Sequence, residues 1–297
     1  MSQGSAPTYC LAAVLIRASL ISVSALPCAT ADPPAGMRLV WSDEFNREGA
    51  PAEQNWNYEH GFVRNEELQW YQRENAFCEN GYLVIEARRE QKPNPLFRGD
   101  ARNARRWAAQ REHIEYTSAS LTTRGKHQWK YGRMEARAKI PTDPGAWPAI
   151  WTLGVRGRWP TCGEVDVMEY YRGKLLANAA WGPSSRHVRW DTEVVPMARF
   201  PAGWSEQFHV WRMDWSATEI RLSVDDQLLN LVGVEHSEGE SADSPFRQPH
   251  YLLLNLALGG TQGGDPAGAE FPVRYLVDYV RVYQSAGTDP DSDAPKR

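Results

Sequence analysis

Hydrophobic and polar positions alternate with a period of two from Gly81 to Gln284, in runs rich in β-branched and aromatic residues and separated by clusters of Gly, Pro, Asn and Asp. The pattern predicts strands over 82–88, 117–123, 131–140, 147–153, 164–171, 175–181, 208–215, 219–224, 251–258 and 275–283. No segment carries the apolar stripe of a long amphipathic helix. Asp225-Asp226, between two apolar runs at 220–224 and 228–232, predicts a hairpin turn. Many strands with short connections make the chain all-β, a two-sheet jelly-roll sandwich. Three stretches break the rhythm, 92–111, 183–204 and 236–246, and read as long loops.

The N-terminus has a different texture. Residues 11–28 are small and apolar apart from Arg17 and a few Ser, and they lead to Ala29-Thr30-Ala31, a small-x-small cleavage pattern. The uninterrupted apolar run is too short to span a bilayer. The expected organisation is a signal peptide over 1–31, one domain over 32–285 and a disordered tail over 286–297, which is rich in Asp and Pro. The mature protein is then secreted or periplasmic, with no membrane contact once the signal is gone. Cys10 and Cys28 leave with the signal; Cys78 and Cys162 remain and form one disulfide or none.

Composition narrows the partner. Thirty-three basic against 37 acidic side chains give a net charge of −4, which offers no footprint for the polyphosphate of DNA or RNA. The chain holds 13 Trp and 12 Tyr, more indole than the core of one domain needs, so some of it is expected to face a ligand.

The segment Trp159-Pro-Thr-Cys-Gly-Glu164-Val-Asp166-Val-Met-Glu169-Tyr-Tyr171 puts three acids on one strand. Glu164 and Asp166 share a face by the pleat, with Val165 and Val167 opposite. Strict alternation sends Glu169 to the core side, where an unpaired carboxylate is costly. A β-bulge at Val167-Met168 inserts one residue and returns Glu169 to the face of Glu164. Two carboxyls on one surface, one ionised and one protonated, are what glycosidic cleavage requires, with Asp166 between them keeping their pKa values apart. The bland alternative is a solvent-facing acidic strand, which strand propensity and like-charge repulsion disfavour.

Glu164-Val-Asp-Val-Met-Glu169 resembles the catalytic signature of glycoside hydrolase family 16, in the bulged form of its laminarinase-like members. Trp41-Ser-Asp-Glu-Phe45, Asn65-Glu-Glu-Leu-Gln69, Asn80-Gly-Tyr-Leu-Val-Ile-Glu-Ala87, Tyr131-Gly-Arg-Met-Glu-Ala-Arg137, Trp147-Pro-Ala-Ile-Trp151, Leu253-Leu-Asn255 with Gly259-Gly260, and Asp278-Tyr-Val-Arg-Val-Tyr283 resemble family landmarks in order, over roughly 38–284. The resemblance implies a jelly roll with a concave cleft that hydrolyses internal β-linkages of a glucan with retention. It implies Glu164 as nucleophile, Asp166 as its electrostatic helper and Glu169 as general acid/base. The chemistry needs no cofactor. The family's structural calcium would fall, by motif position, on the carbonyls of Glu44 and Gly81 and on Asp278; an outer-strand Asp278 with no metal is an equal alternative.

The cleft is expected to use Trp147, Trp151 and Trp159, whose indoles suit the C–H faces of a pyranose. One of Trp147 and Trp151 has core as its alternative. Asn65, Asn178 and Asn255 match positions that resemble family sugar contacts. Glu135 and Arg137 lie on the polar face of 131–140; they meet sugar hydroxyls if that face joins the catalytic sheet and form a cross-strand ion pair if it does not. The expected protein is a secreted monomeric endo-β-1,3-glucanase that also accepts mixed β-1,3/1,4-glucan. A galactanase, a transglycosylase and a non-catalytic carbohydrate-binding sandwich remain as alternatives.

Overall fold

A computed structural model describes residues 1, 32–98, 106–237 and 244–287. The signal-peptide segment and nearly all of the C-terminal tail lie outside the described residues. From Pro33 onward the chain is one compact unit. Among the described residues seventeen strands, numbered in chain order, form two sheets. The seven-stranded sheet runs β12 (His187–Pro196), β11 (Lys174–Ser184), β10 (Glu164–Tyr171), β9 (Ala146–Gly154), β16 (His250–Leu258), β7 (Ser120–Thr122) and β2 (Asn57–Tyr58). The ten-stranded sheet runs β15 (Gln227–Gly233), β14 (Glu219–Val224), β13 (His209–Trp215), β8 (Gly132–Lys139), β17 (Val273–Ser285), β5 (Tyr82–Pro93), β6 (His113–Ser118) and β3 (Gln69–Tyr71), with β1 (Met37–Asp43) on β17 and β4 (Ala76–Glu79) on β5. All pairings are antiparallel except β3 with β6. The architecture is the expected two-sheet jelly-roll sandwich.

The core is the layer between the sheets. Val165, Val167, Met168, Leu252 and Leu254 enter it from the seven-stranded sheet; Met134, Ala136, Trp211, Met213, Val280 and Val282 enter it from the other. β13 shows how the sequence sets this: His209, Trp211, Met213 and Trp215 are buried and alternate with half-buried Val210, Arg212 and Asp214. β16 is buried at every position, because it is central in its sheet and its other face carries a second apolar cluster of Ala149, Trp151, Tyr251 and Leu253.

The Asp225-Asp226 turn closes the β14–β15 hairpin, with Asp225 at φ 51° and its carboxylate accepting from the Val210 amide at 2.9 Å. Two expectations change. The stretch 183–204 is not one long loop, because β12 occupies much of it as an edge strand of the seven-stranded sheet. An edge strand covered on one face carries polar residues on the other, so its apolar signal is diluted. The segment Met37–Asp43 is also a strand that the alternation missed, half-buried along almost its whole length. Cys78 and Cys162 are both buried and both free.

Candidate active site

The geometry of the site begins at a turn. Arg172 and Gly173 hold φ 48° and 73° between β10 and β11, the doubly left-handed pair that closes a two-residue hairpin. That turn sets Tyr171 opposite Lys174, and Glu169 opposite Leu176. Three residues of β10 then face two of β11, so that Asp166 pairs with Asn178. The same slip appears against β9, where Asp166 faces Trp151 and Met168 faces Ile150. This is the expected bulge at Val167-Met168. Both bulged residues point into the core, at 1% and 0% exposure, and Glu164, Asp166 and Glu169 are left on the opposite face. Without the slip Ala179, a core residue, would sit where Asn178 does.

Each carboxyl has its own surroundings. Glu169 accepts from the Trp147 indole N–H at 2.8 Å and from the Asn178 amide at 2.9 Å, one on each oxygen. The same Asn178 nitrogen reaches Asp166 at 3.3 Å, tying the middle acid to the later one. Burial pushes Glu169 up to about 6, against the pull of those two donors. Burial, then the charge of Glu169, pushes Glu164 up to about 8, while Arg64 and a hydrogen bond from Trp159 pull it down. Asp166 is 3% exposed, and burial followed by the charges of Glu169 and Glu164 raises it well above the usual carboxylate range. Three acids so close and so buried cannot all ionise near neutrality. Protons stay in the cluster and belong to it as a whole.

A second layer lies behind them. Arg64 is salt-bridged to Glu59 and lies over the Trp151 ring at 4.9 Å, beside Glu164. Glu67, only 2% exposed, accepts from Gln69 at 2.7 Å and from Asn65 at 3.2 Å, and burial raises its pKa. Asn255 accepts from the Trp151 indole at 2.7 Å and donates to the Tyr71 hydroxyl at 3.0 Å.

The sequence-derived residues sort against this picture. Trp147 and Trp151 both face the site, and neither belongs to the inter-sheet core. Trp159 is exposed beside Glu164, and Asn178 bridges two of the acids. Asn65 and Asn255 are in the site but spend their amides on Glu67, Trp151 and Tyr71, so they set other side chains. Glu135 and Arg137 are corrected: β8 lies in the ten-stranded sheet, where Glu135 pairs with Arg212 at 3.0 Å and Arg137 with Asp278. Period-two alternation shows that 131–140 has a polar face but not which sheet it joins. Sequence reasoning missed Arg64, Glu67 and Tyr71, which sit in loops and a three-residue strand; adjacency to Asn65 was the one signal for them.

The calcium expectation meets an obstacle. Asp43 opposite Val280 and Leu83 opposite Val277 bring the backbones near Glu44, Gly81 and Asp278 together. The Asp278 carboxylate, however, is taken by the Arg137 guanidinium, and the Glu44 carboxylate by both nitrogens of Arg281 at 2.9 and 2.7 Å. Of the expected ligands these pairs engage the Asp278 carboxylate; at Glu44 the pair engages the carboxylate and not the carbonyl expected as a ligand. No group of three or more His, Cys, Asp or Glu is placed to hold a metal among the described residues.

Comparison with known proteins agrees with this chemistry. The family model for glycosyl hydrolases family 16 matches residues 64–281. A β-glucanase of Rhodothermus marinus is 38% identical over 289 residues, spanning 89% of this chain and 91% of that protein. The laminarinase catalytic domain of Thermotoga maritima superposes with a TM-score of 0.69 at 35% identity, covering 84% of this chain and 98% of that one. A structure from work on endo-acting O-glycanases, which prominent members of the human gut microbiota express to initiate mucin breakdown, gives a TM-score of 0.76 at 33% identity, covering 86% and 93%.

Proposed function

Because the chain belongs to glycosyl hydrolase family 16, we propose that it is an endo-acting β-glucanase that cuts β-1,3-glucan, and mixed β-1,3/1,4-glucan as well, with retention of configuration. The observation that carries the reading is the bulge at Val167-Met168, which brings Glu164 and Glu169 to one face as half-buried carboxyls of raised pKa. The pair shares one proton; in the reactive arrangement that proton sits on Glu169, and Glu164, ionised and steadied by Arg64, attacks the anomeric carbon while Glu169 gives its proton to the glycosidic oxygen. The C–O bond breaks, the leaving chain departs as an alcohol and the sugar is held as an ester on Glu164. Glu169, now a carboxylate, takes a proton from water as that water attacks the same carbon and releases Glu164. Asp166, whose carboxyl is raised by burial and by the two neighbouring acids, accepts from Asn178 and stands between them.

A mucin O-glycan is the second substrate reading, supported by the likeness to the O-glycanase structure. Release of reducing ends from laminarin, lichenan, a β-galactan and a mucin O-glycan ranks the substrates. Proton NMR of the first product reads the stereochemistry, and a newly formed α-anomer overturns retention. Glu164→Gln and Glu169→Gln are each expected to lose at least about a thousandfold in kcat. Normal turnover by either variant refutes the assignment, and sugar binding without cleavage by the unaltered chain favours a lectin-like protein. Export is part of the proposal: protein recovered from medium or periplasm should begin near Asp32.

A further inference from the structure

The exposed face of the seven-stranded sheet can be followed across its strands by register. One file runs Tyr251, Leu153, Glu164, Ala180 and Trp190, from β16 through β9, β10 and β11 to the edge strand β12. The next runs Leu253, Trp151, Asp166, Asn178 and Thr192; the one after runs Asn255, Ala149, Glu169, Leu176 and Val194. Residues paired across an antiparallel ladder point to the same side. Trp190 and Val194 therefore share the face of the acids. Their neighbours confirm it: Asp191 turns the other way, accepting from Asn230 of β15 at 3.0 Å, and Val195 is buried in the inter-sheet core.

Trp190 is 50% exposed and Val194 41%, two apolar side chains on the acids' face of β12 with Thr192 between them. Two strand spacings, about 10 Å, separate Trp190 from Glu164 along its file. Ala180, itself fully buried, stands between them in register. A single sugar ring does not span that distance, so a ring over the indole would be a neighbour of the one at Glu164.

We propose that Trp190 is an aromatic platform for a pyranose of the substrate on the β12 side of the catalytic carboxylates, so that the enzyme gains from substrates long enough to cover it. The inference rests on the glycosidase reading above. A flat indole suits a β-linked pyranose whose C–H bonds form an apolar face, and it adds binding without requiring a particular hydroxyl. On the opposite side of Glu164 the walls are different, with Trp147, Trp151 and Arg64 held in hydrogen bonds, an ion pair and a ring contact.

The test is a chain-length series. Activity on the polymer is measured first, because no turnover of any β-glucan or β-galactan refutes the glycosidase reading itself. With the polymer that is cut, kcat/KM is taken for its oligosaccharides from the trimer to the heptamer in the unaltered enzyme, Trp190→Ala and Trp190→Phe. Trp190→Thr, whose β-branched side chain suits an edge strand, repeats the measurement if the alanine variant does not fold. The ratio of heptamer to trimer is expected to fall about tenfold in Trp190→Ala, carried by KM, and to stay within about threefold of the parent in Trp190→Phe. A ratio within about twofold of the parent in Trp190→Ala, or in Trp190→Thr where that variant is used, overturns the platform and leaves the glycosidase reading intact. An equal fall in the phenylalanine variant also overturns it, since an aromatic face would then not be what is recognised.

Discussion

Glu164→Gln gives the most searching test of the carboxylate cluster, through stability and without any substrate. Burial and the charge of Glu169 raise Glu164 from an ordinary 4.5 to about 8. A carboxyl whose folded value lies above its unfolded value contributes its full stability below the unfolded value, and that stability is lost as pH rises toward the folded one. The window is therefore about pH 4.5 to 8. At pH 5 the loss is about 1 kcal/mol, and at pH 7 it is about 3 kcal/mol, as a ceiling for a fully shielded group. Part of Glu164 is open to the cleft and the three acids share their protons, so about half of that difference should survive. Glutamine does not titrate and leaves Asp166 and Glu169 less repelled. The variant should thus melt above the parent, and the gap should widen by about 2–4 °C between pH 5 and pH 7 for a domain of this size. Thermal melts of both proteins at pH 5, 6, 7 and 8 decide it. A gap that stays constant within about 1 °C would mean that Glu164 titrates as an ordinary surface acid, and the strained cluster would be refuted.

Values of about 6 and about 8 for Glu169 and Glu164 place the singly protonated pair between those limits, so kcat/KM should trace a bell with limbs near pH 6 and pH 8. Trp147→Phe removes a donor to the Glu169 carboxylate; the alkaline limb, where the acid Glu169 loses its proton, should move up by about half a unit and kcat should fall about tenfold, and an unmoved limb would break the assignment. Arg137→Met should leave kcat/KM within about twofold and cost about 1 kcal/mol or less, read from urea unfolding, because Arg137 lies in the other sheet in a partly exposed pair with Asp278; a large loss of activity would restore it to the cleft. Excess EDTA or added calcium should shift Tm by less than about 1 °C, since Arg137 and Arg281 already neutralise the acids near that site. A rise of several degrees with calcium would show that a cation displaces Arg137.

What could be read from the sequence follows from where the physics is local. The period-two face of β10, the cost of burying Glu169 and the need for one inserted residue are properties of a single strand, and they located the bulge without a partner. The hairpin at Asp225-Asp226 is equally local. Glu135 and Arg137 show the limit: alternation fixed that they share a polar face, but the choice between the two sheets is made by pairing with β13 and β17, which no window of sequence contains. Arg64, Glu67 and Tyr71 fall outside any periodic run, and they reach the acids only because residues 59–71 cross the end of the sheet beside Trp151 and Asn255.

The edge strand β12 shows the same limit from the other side. An edge strand has one sheet neighbour, one face in the core and one in solvent, so a strand with Val195 in the core and Trp190, Thr192 and Val194 outward reads as a loop interrupted by stray apolar residues. Its meaning comes only with register. Once the bulge sets Asp166 opposite Asn178, Asn178 fixes Thr192, and Trp190 and Glu164 fall into one file. A one-residue slip at Val167-Met168 thus does more than bring two carboxyls together. It also decides which residues of the next two strands stand beside them, and a strand without the insertion would place core alanines there.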